Sequence, residues 1–198
     1  MDYYGEYAER IEALKERLEE KIDALALGLD EPGGERGVEH ILGRVKSAES
    51  AAEKLKRKGY PEGVTSALTN LSDIIGIRCV THFVGDVYKL VKLIEDDEEL
   101  KVCEVKDYIA SPKKNGYRSL HMIVEVPFDD EQISSVRVEL QFRTIAMDCW
   151  AALEHEMRYK KDVSSTELIG NELKRCADEM ASIDLSMQTI RDMIRGEF

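Results

Sequence analysis

The stretch Lys106-Asp-Tyr-Ile-Ala-Ser-Pro-Lys-Lys-Asn-Gly-Tyr-Arg-Ser-Leu-His121 gathers cations, an amide, two tyrosines and a histidine around a turn signalled by Pro112 and by Asn115-Gly116. Donors at that density beside an aromatic ring suit an anionic, planar ligand, and a nucleotide meets both conditions. Read alone, the same loop is equally consistent with a solvated hairpin, because polar turns are common. Elsewhere two carboxylates, Asp73 and Glu139, stand among Arg44, Lys46, Lys54, Arg57, Arg78, Lys106, Lys113 and Arg143. Hard oxygen ligands suit Mg²⁺, which takes one or two carboxylates and lets substrate phosphates complete its shell. A metal site, cations for a transferring group and a general base are the parts of phosphoryl-type transfer.

Other chemistries lack their residues. There is no G-x-x-x-x-G-K-[ST] and no G-x-G-x-x-G, so Walker-type and Rossmann phosphate sites are unsupported. No G-x-S-x-G, H-E-x-x-H or His-Asp dipeptide occurs, and His40, His82, His121 and His155 are too few for a histidine-rich metallohydrolase.

The elements that must position these residues follow from periodicity. Residues 3 to 27 read as an amphipathic helix, with Tyr7, Ile11, Leu14, Leu18, Ile22 and Leu25 at three- and four-residue steps, ending in a Gly-rich loop to Gly37. A second helix is expected over 47–58, stopped by Gly59 and Pro61. Its polar side projects Lys46, Ser50, Lys54 and Arg57 together. Arg44 and Lys46 are placed where this helix begins. Cations there oppose the helix dipole unless an anion binds, which favours a phosphate site over a merely solvated face.

Ser72–His82 reads as a buried strand whose Arg78 needs an anionic partner, with Asp73 at a strand position. A helix over 85–95 and a strand over 102–109 lead into the loop. The strand after it, Ser119 to Val126, alternates Leu120, Met122, Val124 and Val126 onto one face and turns His121 to the other. Val136–Arg143 alternates most cleanly, with Val136, Val138, Leu140 and Phe142 opposed to Arg137, Glu139, Gln141 and Arg143. A helix from Thr144 to Tyr159 should be capped by Thr144 and bury Ile145, Trp150 and Leu153. Over 167–195, Ile169, Leu173, Cys176, Met180, Ile183, Met187, Ile190 and Ile194 form a heptad seam. Self-association through that seam is preferred here to docking on its own domain.

The 198 residues suit one domain with helical extensions and carry a net charge of -12. That acidity argues against duplex nucleic acid and anionic membranes as partners. Residues 44–58 are the exception, with six basic and two acidic side chains. A compact anion can use such an island, whereas a long one meets repulsion beyond it. Cys79, Cys103, Cys149 and Cys176 are far apart, as expected for reduced cytoplasmic thiols. The N-terminus lacks a signal-peptide pattern, and no apolar run reaches the ~20 residues of a membrane span.

Ordered motifs carry a resemblance over about 120 residues: Gly43-Arg-Val-Lys, Asp73-Ile-Ile-Gly-Ile-Arg, the loop above, Glu139-Leu-Gln-Phe-Arg-Thr, Trp150-Ala-Ala-Leu-Glu-His and Tyr159-Lys160. In these the chain resembles single-domain small alarmone synthetases of the RelA/SpoT type. The resemblance implies an α+β fold, a nucleotidyltransferase-like mixed sheet flanked by helices. It divides the chain into an N-terminal helix (1–30), a catalytic domain (38–160) and a C-terminal helix for oligomerisation (165–198), with a homotetramer favoured. The implied reaction is Mg²⁺-dependent transfer of pyrophosphate from ATP to the 3′-hydroxyl of GDP or GTP, making a stringent-response signal in the cytoplasm.

By motif, Asp73 binds the metal, and Glu139 completes that site or takes the hydroxyl proton. Arg44, Lys46, Ser50, Lys54, Arg57 and Arg78 fall on the ATP side. Tyr117 stacks on guanine, with Lys106, Lys113, Asn115, His121 and Gln141 around the acceptor. The loop is expected to order when that nucleotide arrives. His40 and Leu42 replace an aromatic and a hydroxyl residue that tetrameric members use to bind a product-like activator, so the resemblance does not extend to product activation. Two other readings stay open: a toxin-like pyrophosphokinase acting on adenosine nucleotides or tRNA, and a catalytically silent nucleotide-binding regulator.

Overall fold

The computed structural model describes residues 3–29, 36–159 and 166–196, and a five-stranded mixed sheet organises them. The strands are β1 (Val38–Val45), β2 (Ile75–Thr81), β3 (Lys101–Asp107), β4 (Leu120–Pro127) and β5 (Ser135–Thr144), in spatial order β1-β2-β5-β4-β3. β2 and β5 are parallel, and the other neighbouring pairs are antiparallel. The helices are α1 (Ala8–Ala26), α2 (Ala48–Lys58), α3 (Val64–Asn70), α4 (Val84–Glu95), α5 (Ile145–Tyr159) and α6 (Thr166–Arg195). This is the α+β class expected from the motifs. Residues 31–35 of the expected Gly-rich loop, and Lys160, lie outside the described residues.

Alternation decides which face of the sheet is buried. Val136, Val138, Leu140 and Phe142 of β5 share a core with Leu120, Met122, Val124 and Val126 of β4. Ile11, Leu14, Leu18 and Ile22 of α1 and Val87, Leu90 and Ile94 of α4 close over them. Each such side chain contributes roughly 1.5–3 kcal/mol by leaving water. The opposite face keeps the polar members of the same alternations, and there the charged residues collect.

Three expectations need correction. Residues 38–45 form a strand, so Arg44 lies on β1 and not at a helix start. β1 is an edge strand with Leu42 57% exposed, and its apolar pattern is too broken to show a period. Helix α2 begins at Ala48, where the Ser47 hydroxyl accepts from the Ser50 N–H at 3.3 Å, and it ends at Gly59 with φ +73°. Asp73 precedes β2 and is not part of it. On α5 the Thr144 cap forms, accepting from the Met147 N–H, and Trp150 is buried, but Ile145 and Leu153 are 47% and 52% exposed. That helix turns Met147 and Trp150 inward toward α6, which rotates the expected stripe.

Helix α6 docks on the domain through a stripe that takes the N-terminal part of the heptad seam, with Leu173 buried and Ile169 and Met180 packed on the Trp150 cluster, and leaves the rest of the seam out. Leu173, Ala177, Asp184 and Arg191 are buried. The Trp150 indole N–H donates to the Leu173 carbonyl at 2.9 Å. Arg191 Nη1 lies 2.8 Å from both carboxylate oxygens of Asp86, and its guanidinium stacks 4.2 Å from the Phe83 ring centre. Ile183, Met187, Ile190 and Ile194 stay exposed on the other side.

Asp184 accepts a 2.6 Å hydrogen bond from the Thr144 hydroxyl, but burial raises its carboxyl above the ordinary value despite that bond. The fold therefore favours the protonated form. Its contribution is fully present below the unfolded value and is lost as pH rises through the folded one. Asp184→Asn, which keeps the acceptor without the charge, should raise Tm at pH 7 by roughly 2–4 °C, the shift about 1 kcal/mol gives a chain of this size. The gain should shrink as pH falls toward about 4, and melting curves at both pH values check it.

Candidate active site

Strand register lays the polar residues out in rows, since directly opposed residues on neighbouring strands share a face. Leu42, Arg78, Gln141, His121 and Lys106 form one row across all five strands. Arg44, Gly76, Glu139 and Ile123 form the next. Segments more than sixty residues apart in sequence thus meet on one surface.

Beside these rows, the loop before β2 and the polar side of α2 converge on Asp73. Its Oδ2 accepts from Lys54 Nζ at 2.6 Å and from Lys46 Nζ at 2.9 Å. Its Oδ1 is buried without a hydrogen-bond partner. Burial pushes this carboxyl up, but the bonds from Lys54 and Lys46 outweigh it and hold Asp73 below the ordinary carboxylate range. Arg44 on β1 and Arg57 on α2 are exposed, with no carboxylate partner among the described residues. Ser50 is engaged by Ser47 at the head of α2.

Glu139 is the second carboxylate. Its Oε2 accepts from Gln141 Nε2 at 2.7 Å, and its Oε1 lies 3.4 Å from His121 Nδ1. Burial raises it, His121 and Gln141 lower it by more, and Asp73 acts on it as a neighbouring like charge. The net direction is downward, so both carboxylates are anions at neutral pH.

The loop after β3 carries an aromatic and cationic cluster. Tyr117 meets His121 edge to face at 5.8 Å and Tyr108 at 6.3 Å, and Lys113 Nζ sits 4.6 Å from the Tyr117 ring centre. Arg143 Nη2 donates to the Tyr117 hydroxyl at 2.8 Å, and the same hydroxyl is hydrogen-bonded to His121 Nε2, also at 2.8 Å. The other ring nitrogen of His121, Nδ1, faces Glu139. A chain Arg143–Tyr117–His121–Glu139 results, linking the aromatic platform to the carboxylate. Asn115 donates to Glu154 at 3.3 Å and accepts from the Tyr117 N–H. Lys106, at the sheet edge, pairs with Glu104 at 2.8 Å.

Three participants were not assigned to the site from sequence. In the sequence Arg143 reads only as a nearby cation. Here it is 6% exposed and binds Asp148 at 2.8 Å, Tyr117 and Gln141. Its alternation with Glu139 and Gln141 was the available signal. Asp148 on α5 is also the anion that Arg78 required, at 3.2 Å, and nothing in its local sequence marks it. Tyr108 completes the cluster, with its ring centre 4.4 Å from Lys113 Nζ.

The donor set matches what the implied Mg²⁺ requires. Asp73 offers a buried, unpartnered anionic oxygen, and Glu139 adds a second ionised carboxylate within electrostatic range. Among the described residues no cluster of three or more His, Cys, Asp or Glu is placed to hold a metal. Two carboxylates with room for substrate phosphates is the ligation Mg²⁺ prefers. The residues fit.

Comparison with known proteins agrees. A family model described as a region found in RelA / SpoT proteins matches residues 43–164. The GTP pyrophosphokinase YwaC of Bacillus subtilis is 40% identical over 159 residues, covering 80% of this chain and 76% of that protein. YjbM of the same organism, also named a GTP pyrophosphokinase, is 33% identical over 159 residues, with 80% and 74% covered. Among solved structures, small alarmone synthetase 1 of B. subtilis bound to its product pppGpp superposes with a TM-score of 0.81 at 29% identity, covering 93% of this chain and 94% of that one. Small alarmone synthetase 2 of B. subtilis gives 0.80 at 36% identity, covering 93% and 96%. With the family model matched over residues 43–164 and a relative 40% identical over most of its own length, this chain belongs to the RelA/SpoT family.

Proposed function

We propose that the protein is a (p)ppGpp synthetase that moves a pyrophosphate group from ATP to the 3′-hydroxyl of GDP or GTP. The observation that carries this reading is Asp73, held ionised by two lysines with one oxygen free, beside a sheet face that ends in an aromatic platform. Relatives named GTP pyrophosphokinases and a neighbour bound to pppGpp support it.

In this reading Lys46, Lys54, Arg44, Arg57 and Arg78, with Ser50 at the head of α2, hold the triphosphate of ATP. Tyr117 stacks on guanine, where base–aromatic contact is worth about 1–3 kcal/mol. Lys113, Asn115, His121 and Gln141 surround the acceptor, and Lys106 adds charge at its edge. The acceptor oxygen attacks the β-phosphorus of ATP, the bond from that phosphorus to the α,β-bridging oxygen breaks, and AMP leaves. The hydroxyl proton is lost in the same step, and Glu139, kept anionic by His121 and Gln141, is placed either to take it or to complete the cation site with Asp73. Mg²⁺ bound there would neutralise charge on the transferring group. The exposed apolar side of α6 supports self-association, with a tetramer favoured, and no described helix is long and apolar enough to cross a membrane.

Incubation with ATP, Mg²⁺ and either GDP or GTP should yield AMP and a 3′-pyrophosphorylated guanosine nucleotide in equal amounts on anion exchange. Absence of product with every guanosine acceptor would overturn the reading.

A further inference from the structure

We infer that Arg118 is a positioning residue that fixes the acceptor loop on α6 and thereby sets acceptor affinity. The inference rests on the pyrophosphate-transfer reading above and concerns how its Tyr117 platform is held.

Both neighbours of Tyr117 in sequence are anchored to α6. On one side, Gly116 is buried with φ +90°, against Ala177 and Lys174. A Cβ built on it would lie 2.7 Å from Ala177 Cβ and 3.2 Å from Lys174 Cα, so the loop touches the helix at a spot only glycine allows. On the other side, Arg118 Nη1 donates to the carbonyls of Gly116 at 3.2 Å and Ala177 at 3.3 Å, and Nη2 donates to Asp178 at 3.0 Å. One guanidinium therefore binds one loop carbonyl and two acceptors on the helix. Its side chain is 17% exposed, so these bonds are partly shielded from water. The tyrosine between these anchors points back toward His121 and Arg143. Arg118 itself contacts neither carboxylate nor the lysines of Asp73, so its influence falls on the acceptor side alone. A ring displaced by even about 1 Å is enough to cost a large part of a positioning effect.

Arg118→Ala is expected to raise the acceptor KM about tenfold, with kcat at saturating acceptor and the ATP KM each within about threefold of wild type. Arg118→Lys should recover only part of this, because an ammonium cannot reach all three acceptors with the fork geometry of a guanidinium. Asp178→Asn, at an exposed position that leaves folding intact, should raise the acceptor KM by about two- to threefold. Steady-state kinetics in both substrates, with a melting curve for each variant, read these outcomes. A parallel rise in both KM values, or an unchanged acceptor KM in folded Arg118→Ala, would overturn the inference. If Arg118→Ala fails to fold, an unchanged acceptor KM in both Arg118→Lys and Asp178→Asn does so. Wild-type protein that turns over nothing would instead sink the pyrophosphate-transfer reading, which keeps the two failures apart.

Discussion

Asp73→Asn should lower kcat by about a thousandfold, roughly 4 kcal/mol of transition-state stabilisation, while leaving the ATP KM within a few-fold of wild type. The asymmetry follows from what each oxygen of Asp73 does. Oδ1 is the free buried anion that suits a cation, and an amide in its place neither carries charge nor ligates Mg²⁺ comparably. Oδ2 engages Lys46 and Lys54, and both lysines become more available to phosphate once the carboxylate charge is gone. Ground-state binding of ATP is thus preserved while the chemical step fails. The stability effect should be modest, because both ammonium groups are partly solvated. Any loss should fade as pH falls: Asp73 titrates below its unfolded value, so its contribution is present above about 3.8 and disappears as pH drops through the folded value. Kinetics with both substrates varied give the test. Activity within tenfold of wild type would remove Asp73 from the reaction.

Tyr117→Ala should raise the acceptor KM by ten- to a hundredfold, the range of about 1–3 kcal/mol per stacked base, with the ATP KM moving less than about threefold. Tyr117→Phe separates the two jobs of this side chain. Phenylalanine keeps the stacking face, so the acceptor KM should stay near wild type. It breaks the hydroxyl link between Arg143 and His121, each 2.8 Å away, and so loosens the histidine that faces Glu139. A fall in kcat with little change in acceptor KM is the expected signature. Equal effects of Tyr117→Ala on both KM values would sink the platform assignment.

Much of this was legible in local pattern. The alternation of Val136 to Phe142 against Glu139 and Gln141 assigns the faces of β5 without any tertiary information, because a strand's side chains alternate with period two. The same logic places His121 opposite Leu120 and Met122, and helical spacing brings Ser50, Lys54 and Arg57 to one side of α2, whereas Lys46, expected on that side, lies ahead of the Ser47 cap and outside the helix. The motifs then name the family, since their residue types are tied to one chemistry.

What local pattern could not supply is the company each residue keeps. Lys46 at a helix start suggested an external anion, yet the chain supplies its own in Asp73, and no period links positions 46, 54 and 73. Arg78 called for an acid, and the fold delivers Asp148 from a helix seventy residues on. β1 shows no period because Val38 alone among its residues is buried. The end of the loop from Lys106 to His121 packs on α6 through Gly116 and Arg118, and nothing in its local pattern announces that partner. The seam on α6 is legible as a heptad, but the helix packs its first half, Ile169, Leu173 and Met180, on its own domain and adds Ala177, Asp184 and Arg191, which the heptad does not include. Sequence determined which residues carry charge, stacking area and strand period, because those are properties of a few neighbouring positions. Tertiary structure alone decided which charges meet and which helix braces the platform, because pairing energies act across space between segments that the chain separates.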